Sequence, residues 1–175
     1  MAGLVLELVE PFDPSVRALV VRELDGMAQV LSAWGRFQRP VQVRTVSSEA
    51  ELRAAAPIAT ELHLHAVASI DDLQLLAPGA WTLVPGDADY ARVVLHELAD
   101  VLLFQRCAPP DARIAAYLPT WFREGMATVV ASGAPRPLLR RTVADHPRLR
   151  DLLRATDAQM AEDPEVCYTA AALAF

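Results

Sequence analysis

The sequence has no lysine and no asparagine, and all sixteen of its basic residues are arginine. Without lysine there is no Schiff-base nucleophile and no P-loop lysine for nucleotide phosphates. Without asparagine there is no acceptor for N-glycosylation. The two cysteines, Cys107 and Cys167, are too few for a disulfide scaffold or a cysteine metal cluster, and both are expected as small buried thiols. No run of about 18 uncharged apolar residues occurs, so no transmembrane helix is expected. The N-terminal stretch MAGLVLELVEPFDPS has no basic region and meets acidic residues early, which excludes a secretory signal. Positive charge is also scarce, with 16 basic against 22 acidic residues and a net charge of -6. The acidic balance argues against nucleic acid as a partner, because phosphate binding needs a basic face, and without a long apolar run no membrane partner is expected. The expectation is a soluble, cytoplasmic protein.

What is present suits a folded domain. Hydrophobic residues make up 53% of the 175, which argues against disorder. A chain of this length forms one domain and buries roughly 70% of the surface it exposes when unfolded. Residues 3–9 (GLVLELV) and Val41–Val46 read as strands. Between them, Asp13-Pro14 is an N-cap followed by proline at the first helical position. Val16, Leu19, Val20, Leu24, Met27, Leu31 and Trp34 then follow helical spacing up to Gly35. Ser48 and Glu51 form a capping box for a short helix. Glu61–Ser69 and Ala80–Val84 are strand candidates. A very apolar helix is predicted from about Ala88 to Cys107 and another from Pro119 to Ser132. Residues 133–163 read as loops with one short amphipathic helix at Arg148–Ala155, and a last helix starts at Asp163-Pro164. The chain stops in AALAF without a cap, so this end either packs into the core or belongs to something longer. Strands and helices alternate in residues 1–87 and helices alone follow in 88–175, which predicts one α+β domain with a small mixed sheet.

The chemistry concentrates on the helix at 88–107. Most of its faces are apolar, as expected of a buried helix, yet it carries Arg92, His96, Glu97 and Asp100. His96 and Asp100 are four residues apart and share one face, with Glu97 beside them. Burying such groups is costly unless a divalent cation or a closed hydrogen-bond network neutralises them. The competing reading is a polar stripe facing solvent. His63 and His65, two apart on a predicted strand, are a weaker metal pair and fit an exposed strand face better. His146, the arginines Arg136, Arg140 and Arg141, and the core tryptophans Trp34 and Trp81 are given no catalytic role. Trp121 is expected to pack under the helix that carries Glu124.

Twenty-eight residues after His96 comes Glu124, in LPTWFREGMATVV. With HELAD before it, this segment resembles the gluzincin-type zinc metallopeptidases, the peptidase MA-like group. These carry HExxH on one helix and a glutamate ligand on the next, often after a proline and an aromatic pair and followed by Gly-x-Ala. Here those positions are Pro119, Trp121, Phe122, Glu124, Gly125 and Ala127. The resemblance covers about residues 88–131 and implies a zincin-like fold with the metal site in residues 88–175. It implies His96 and Glu124 as metal ligands, Glu97 as the general base for a metal-activated water, and Tyr168 as an oxyanion donor. It also implies a peptide or protein substrate held along an edge strand, either Glu61–Ser69 or Ala80–Val84.

The family's second histidine is Asp100 in this chain. Aspartate also ligates zinc, so His96, Asp100 and Glu124 remain a ligand set. Two carboxylates neutralise the dication, which predicts weak hydrolysis and a relaxed preference for zinc over other divalent metals. Two functions compete: a metal-dependent peptidase, and an inactive pseudopeptidase that binds a peptide or protein partner through the same groove. A helical interaction module with a chance HELAD ranks last.

Overall fold

A computed structural model describes residues 3–55, 65–82, 85–107, 118–132 and 171. Its element order is β1 (Leu6–Leu8), α1 (Pro14–Ser32), β2 (Val41–Val46), α2 (Glu49–Ala55), β3 (Ala66–Ala68), β4 (Asp72–Leu76), α3 (Asp87–Cys107) and α4 (Thr120–Ser132). The four strands form one mixed sheet in the order β1-β2-β4-β3, so the described chain is α+β. β1, β2 and β4 run parallel, and β3 pairs antiparallel with β4. Among the described residues, no helix is long and apolar enough to cross a membrane.

Local chemistry explains the first helix. The Asp13 carboxylate accepts hydrogen bonds from the backbone N–H groups of Ser15 (2.8 Å) and Val16 (3.1 Å), and Pro14 opens the helix. The predicted stripe is the buried face, with Val16, Leu19, Val20, Met27 and Leu31 all in the core. Half of the capping box forms: Ser48 Oγ accepts from Glu51 N–H, while the Glu51 carboxylate reaches one residue further back, to Ser47 N–H.

The sheet has two working faces because side chains alternate along each strand. Val41 and Val43 of β2 and Leu73 and Leu75 of β4 join α1, α3 and α4 in the main core. Leu76 points to the opposite face and packs against Leu52 of α2. β3 and β1 are the two edge strands among the described residues, and β3 lies against α3. Its neighbours His65 and Ser69 spend backbone groups on β4, through Leu76 N–H to His65 O (2.8 Å) and Ser69 N–H to Asp72 O (2.7 Å). In an antiparallel ladder the alternate residues, Ala66 and Ala68, then turn their backbone groups to the outer edge.

α3 is the central helix, and Leu98, Ala99 and Val101 on it are fully buried. It is tied to the α1–β2 connection by Gln105, only 3% exposed. The Gln105 amide oxygen accepts from Gln38 N–H (2.7 Å) and Arg39 N–H (3.2 Å), and its NH2 donates to Arg39 O (3.2 Å). Gln105→Leu leaves these backbone groups without their partner and is expected to cost about 2 kcal/mol, read as a lower urea midpoint with an unchanged slope.

Three sequence expectations need correction. Ala80–Val84 is not a strand where it is described: Pro78–Ala80 is a 3-10 turn, after which the Trp81 indole N–H folds back to donate to Leu76 O (3.0 Å). The strand lies earlier, at Asp72–Leu76. Trp34 is 38% exposed rather than core, because it follows the last turn of α1 and leaves the buried stripe. Cys107 is an exposed free thiol at the end of α3, beyond the packed stretch that closes with Gln105. Glu61, His63, Leu83, Val84, Cys167, Tyr168, the Arg148–Ala155 segment and the Asp163-Pro164 helix lie outside the described residues.

Candidate metal centre

Two helices build the site. α3 carries His96 and Asp100 one turn apart, and α4 packs along α3 and brings Glu124. The start of α4 is set by Pro119, whose carbonyl accepts from Phe122 N–H (2.9 Å) and Arg123 N–H (3.2 Å). Met126, Ala127 and Val130 of α4 then enter the same core as Leu98 and Leu102 of α3. This apolar packing fixes the separation of the two helices and hence of the three polar side chains.

Those side chains converge. His96, Asp100 and Glu124 each offer a ligand atom, and the three atoms lie within 4.8 Å of one another. His96 Nε2 stands 3.2 Å from Glu124 Oε2 and 4.0 Å from Asp100 Oδ2. Ligands about 2.0–2.2 Å from a tetrahedral zinc lie about 3.4 Å apart, so the first pair fits and the second needs a small closure. Asp100 is 5% and Glu124 6% exposed, and the His96 side chain is 19% exposed. The solvent-facing stripe is therefore not what forms, although Arg92 on the same helix is exposed.

The electrostatics are those of a crowded acidic pocket. Burial alone would push the His96 imidazole down. The hydrogen bond to Glu124 and the charges of Asp100, Glu124 and Glu97 outweigh it and raise the group to about 9. Burial pushes Asp100 well above the usual carboxylate range, reinforced by the negative charge of Glu124. Burial would also raise Glu124, but its hydrogen bond to His96 and the adjacent Arg123 guanidinium hold it below the ordinary value. Asp100 Oδ1 is buried and accepts no hydrogen bond from the described residues. An uncompensated carboxylate oxygen beside an imidazole and a second carboxylate is a donor set that a divalent cation would satisfy.

Glu97, half-buried, follows His96 on α3, and its charge reaches both His96 and Asp100. Tyr168 lies outside the described residues. Of the two histidines expected on a strand, His65 lies just before β3, is half-buried and stacks flat on Trp81 with centroids 3.8 Å apart, which gives it a packing role. Trp121 is half-buried and meets Phe122 edge-on.

One neighbour of the site was not legible as such. Arg123 Nη2 donates to Glu124 Oε1 at 2.8 Å, with its side chain only 18% exposed. Adjacent helix residues do not normally face each other, so helical spacing gives no hint of this contact. Comparison of the chain with protein families, with curated proteins and with solved structures gives no match, so a functional reading rests on this geometry and on the motif residues.

Proposed function

We propose that this chain is a metal-dependent, gluzincin-like peptidase that hydrolyses peptide bonds weakly. The observation that carries the reading is the convergence of His96, Asp100 and Glu124, from two packed helices, within 4.8 Å. In this reading the three side chains hold a divalent metal, with zinc as the first candidate. Such an ion supplies Lewis acidity to a peptide carbonyl and to a water molecule. Glu97 accepts the proton released during attack, and its place next to His96 suits that role. The outer edge of β3, through the backbone of Ala66 and Ala68, takes an extended peptide as an added strand. The motif resemblance adds Tyr168 as the oxyanion donor and a zincin-like fold for the whole chain. A cytoplasmic setting suits the exposed thiol of Cys107, which stays reduced there.

A pseudopeptidase is the second reading, and a specific contact favours it. His96 already has Glu124 as an ion-pair partner at 3.2 Å, so part of the buried charge is balanced by the protein itself. The two readings separate on metal content and turnover. Protein purified without added zinc is expected to carry close to one equivalent of metal and to cleave an unstructured protein slowly. Glu97→Gln is expected to keep the metal and lower the rate by about 100-fold or more. No metal uptake even with zinc added, and no cleavage, leaves only the pseudopeptidase.

A further inference from the structure

The two oxygens of Glu124 are divided between two partners. Oε2 faces His96 Nε2 at 3.2 Å, and Oε1 accepts from Arg123 Nη2 at 2.8 Å. Both carboxylate and guanidinium are largely withdrawn from water, at 8% and 18% side-chain exposure. A charge-assisted hydrogen bond in such a place is strong and directional. We infer that Arg123 is a positioning residue that restricts Glu124 to a single ligating oxygen, and so makes this centre selective for a small, four-coordinate cation. The inference rests on the metal reading above and deepens it.

The donor count explains the consequence. Zinc is satisfied by four ligands, whereas manganese and calcium take six or more and prefer oxygen. A site of one imidazole and two carboxylates offers up to five protein donor atoms if both carboxylates bind through both oxygens. That would suit the larger, oxygen-seeking ions. Asp100 Oδ1 accepts no hydrogen bond from the described residues, so among them no donor commits that carboxylate to one oxygen. Glu124 is the place where a neighbouring side chain limits the number of donors. Arg123 thereby counters the loss of zinc preference that Asp100 introduces.

The test compares zinc and manganese affinities of the full chain, stripped of metal and titrated against a competing chelator. Arg123→Met keeps much of the side-chain volume and removes the donor. It is expected to lower the zinc-to-manganese affinity ratio by about tenfold or more, the scale on which outer-shell partners act. Arg123→Ala is expected to do the same and provides the measurement if the methionine variant fails to fold. A ratio that is unchanged or larger in the folded variant overturns the role given to Arg123 while leaving the metal centre standing. Absence of zinc and manganese binding by the unaltered protein overturns the metal reading, and this inference with it.

Discussion

Asp100→His is expected to raise zinc affinity on the order of tenfold and to increase hydrolysis of an unstructured protein substrate. Two effects act together. With a dication bound, Asp100 and Glu124 would neutralise it between them, and a neutral centre acidifies water less than one of net charge +1. An imidazole also reaches further than the aspartate side chain, which stops 4.0 Å from His96 Nε2. For the stability of the metal-free fold, the substitution also removes a carboxylate whose Oδ1 is buried without a hydrogen bond from the described residues. Against this stands the size of the imidazole in a position only 5% exposed, where overpacking costs about 1–3 kcal/mol. Circular dichroism melts with and without zinc separate the two, since zinc restores stability by mass action only if the site forms. A folded Asp100→His protein that binds zinc no better than the unaltered chain removes the case for a shared site.

In the presence of chelator, the protein is expected to lose stability as the pH is raised from about 6.5 to 9, by about 3 kcal/mol. His96 sits at about 9 in the folded chain, above its ordinary value of 6.5. A group raised on folding stabilises fully below its unfolded value, and that contribution is lost as pH rises through the folded one. Asp100 is also raised, so its contribution fades in the same direction, from the ordinary carboxylate range upward. Glu124 is lowered, so its contribution is lost only in acid and does not oppose the trend in this window. Saturating zinc should reverse the slope, because a metal needs the imidazole and the carboxylates deprotonated and binds better as pH rises. Urea midpoints at pH 6.5, 7.5 and 9, each with chelator and with zinc, give the measurement. A flat profile in chelator means that His96 is not held between the two carboxylates. A falling profile that zinc leaves unchanged means that the cluster is a buried ion pair and not a metal centre.

Much of the fold was readable from local signals. Asp13-Pro14 opened α1 where expected, and the Val16-to-Leu31 stripe became its buried face. β2 kept its expected limits, Val41–Val46, because apolar and polar residues alternate there. α3 and α4 began within a residue of their predicted starts. β4 was missed because DLQLL is short and opens on the second residue of an acidic pair, and its extended form depends on β2 on one side and β3 on the other. Ala80–Val84 was misread because its apolar letters do not register that Trp81 hydrogen-bonds back to Leu76. Trp34 and Cys107 show the same limit: each ends an apolar helix, and exposure there is decided by where the neighbouring elements stop.

By itself the sequence determined the helices, their buried stripes and the identities of the candidate ligands. Each depends on residues a few positions apart, where backbone geometry alone sets the spacing. Helical period placed His96 and Asp100 on one face, but a separation of twenty-eight positions carried no distance to Glu124. Only the tertiary structure decided that α4 lies against α3 so that an imidazole and two carboxylates meet in a nearly dry pocket, with Arg123 on the outer oxygen. The physical reason is that burial and Coulomb energy depend on separation in space, and packing of the apolar core sets that separation.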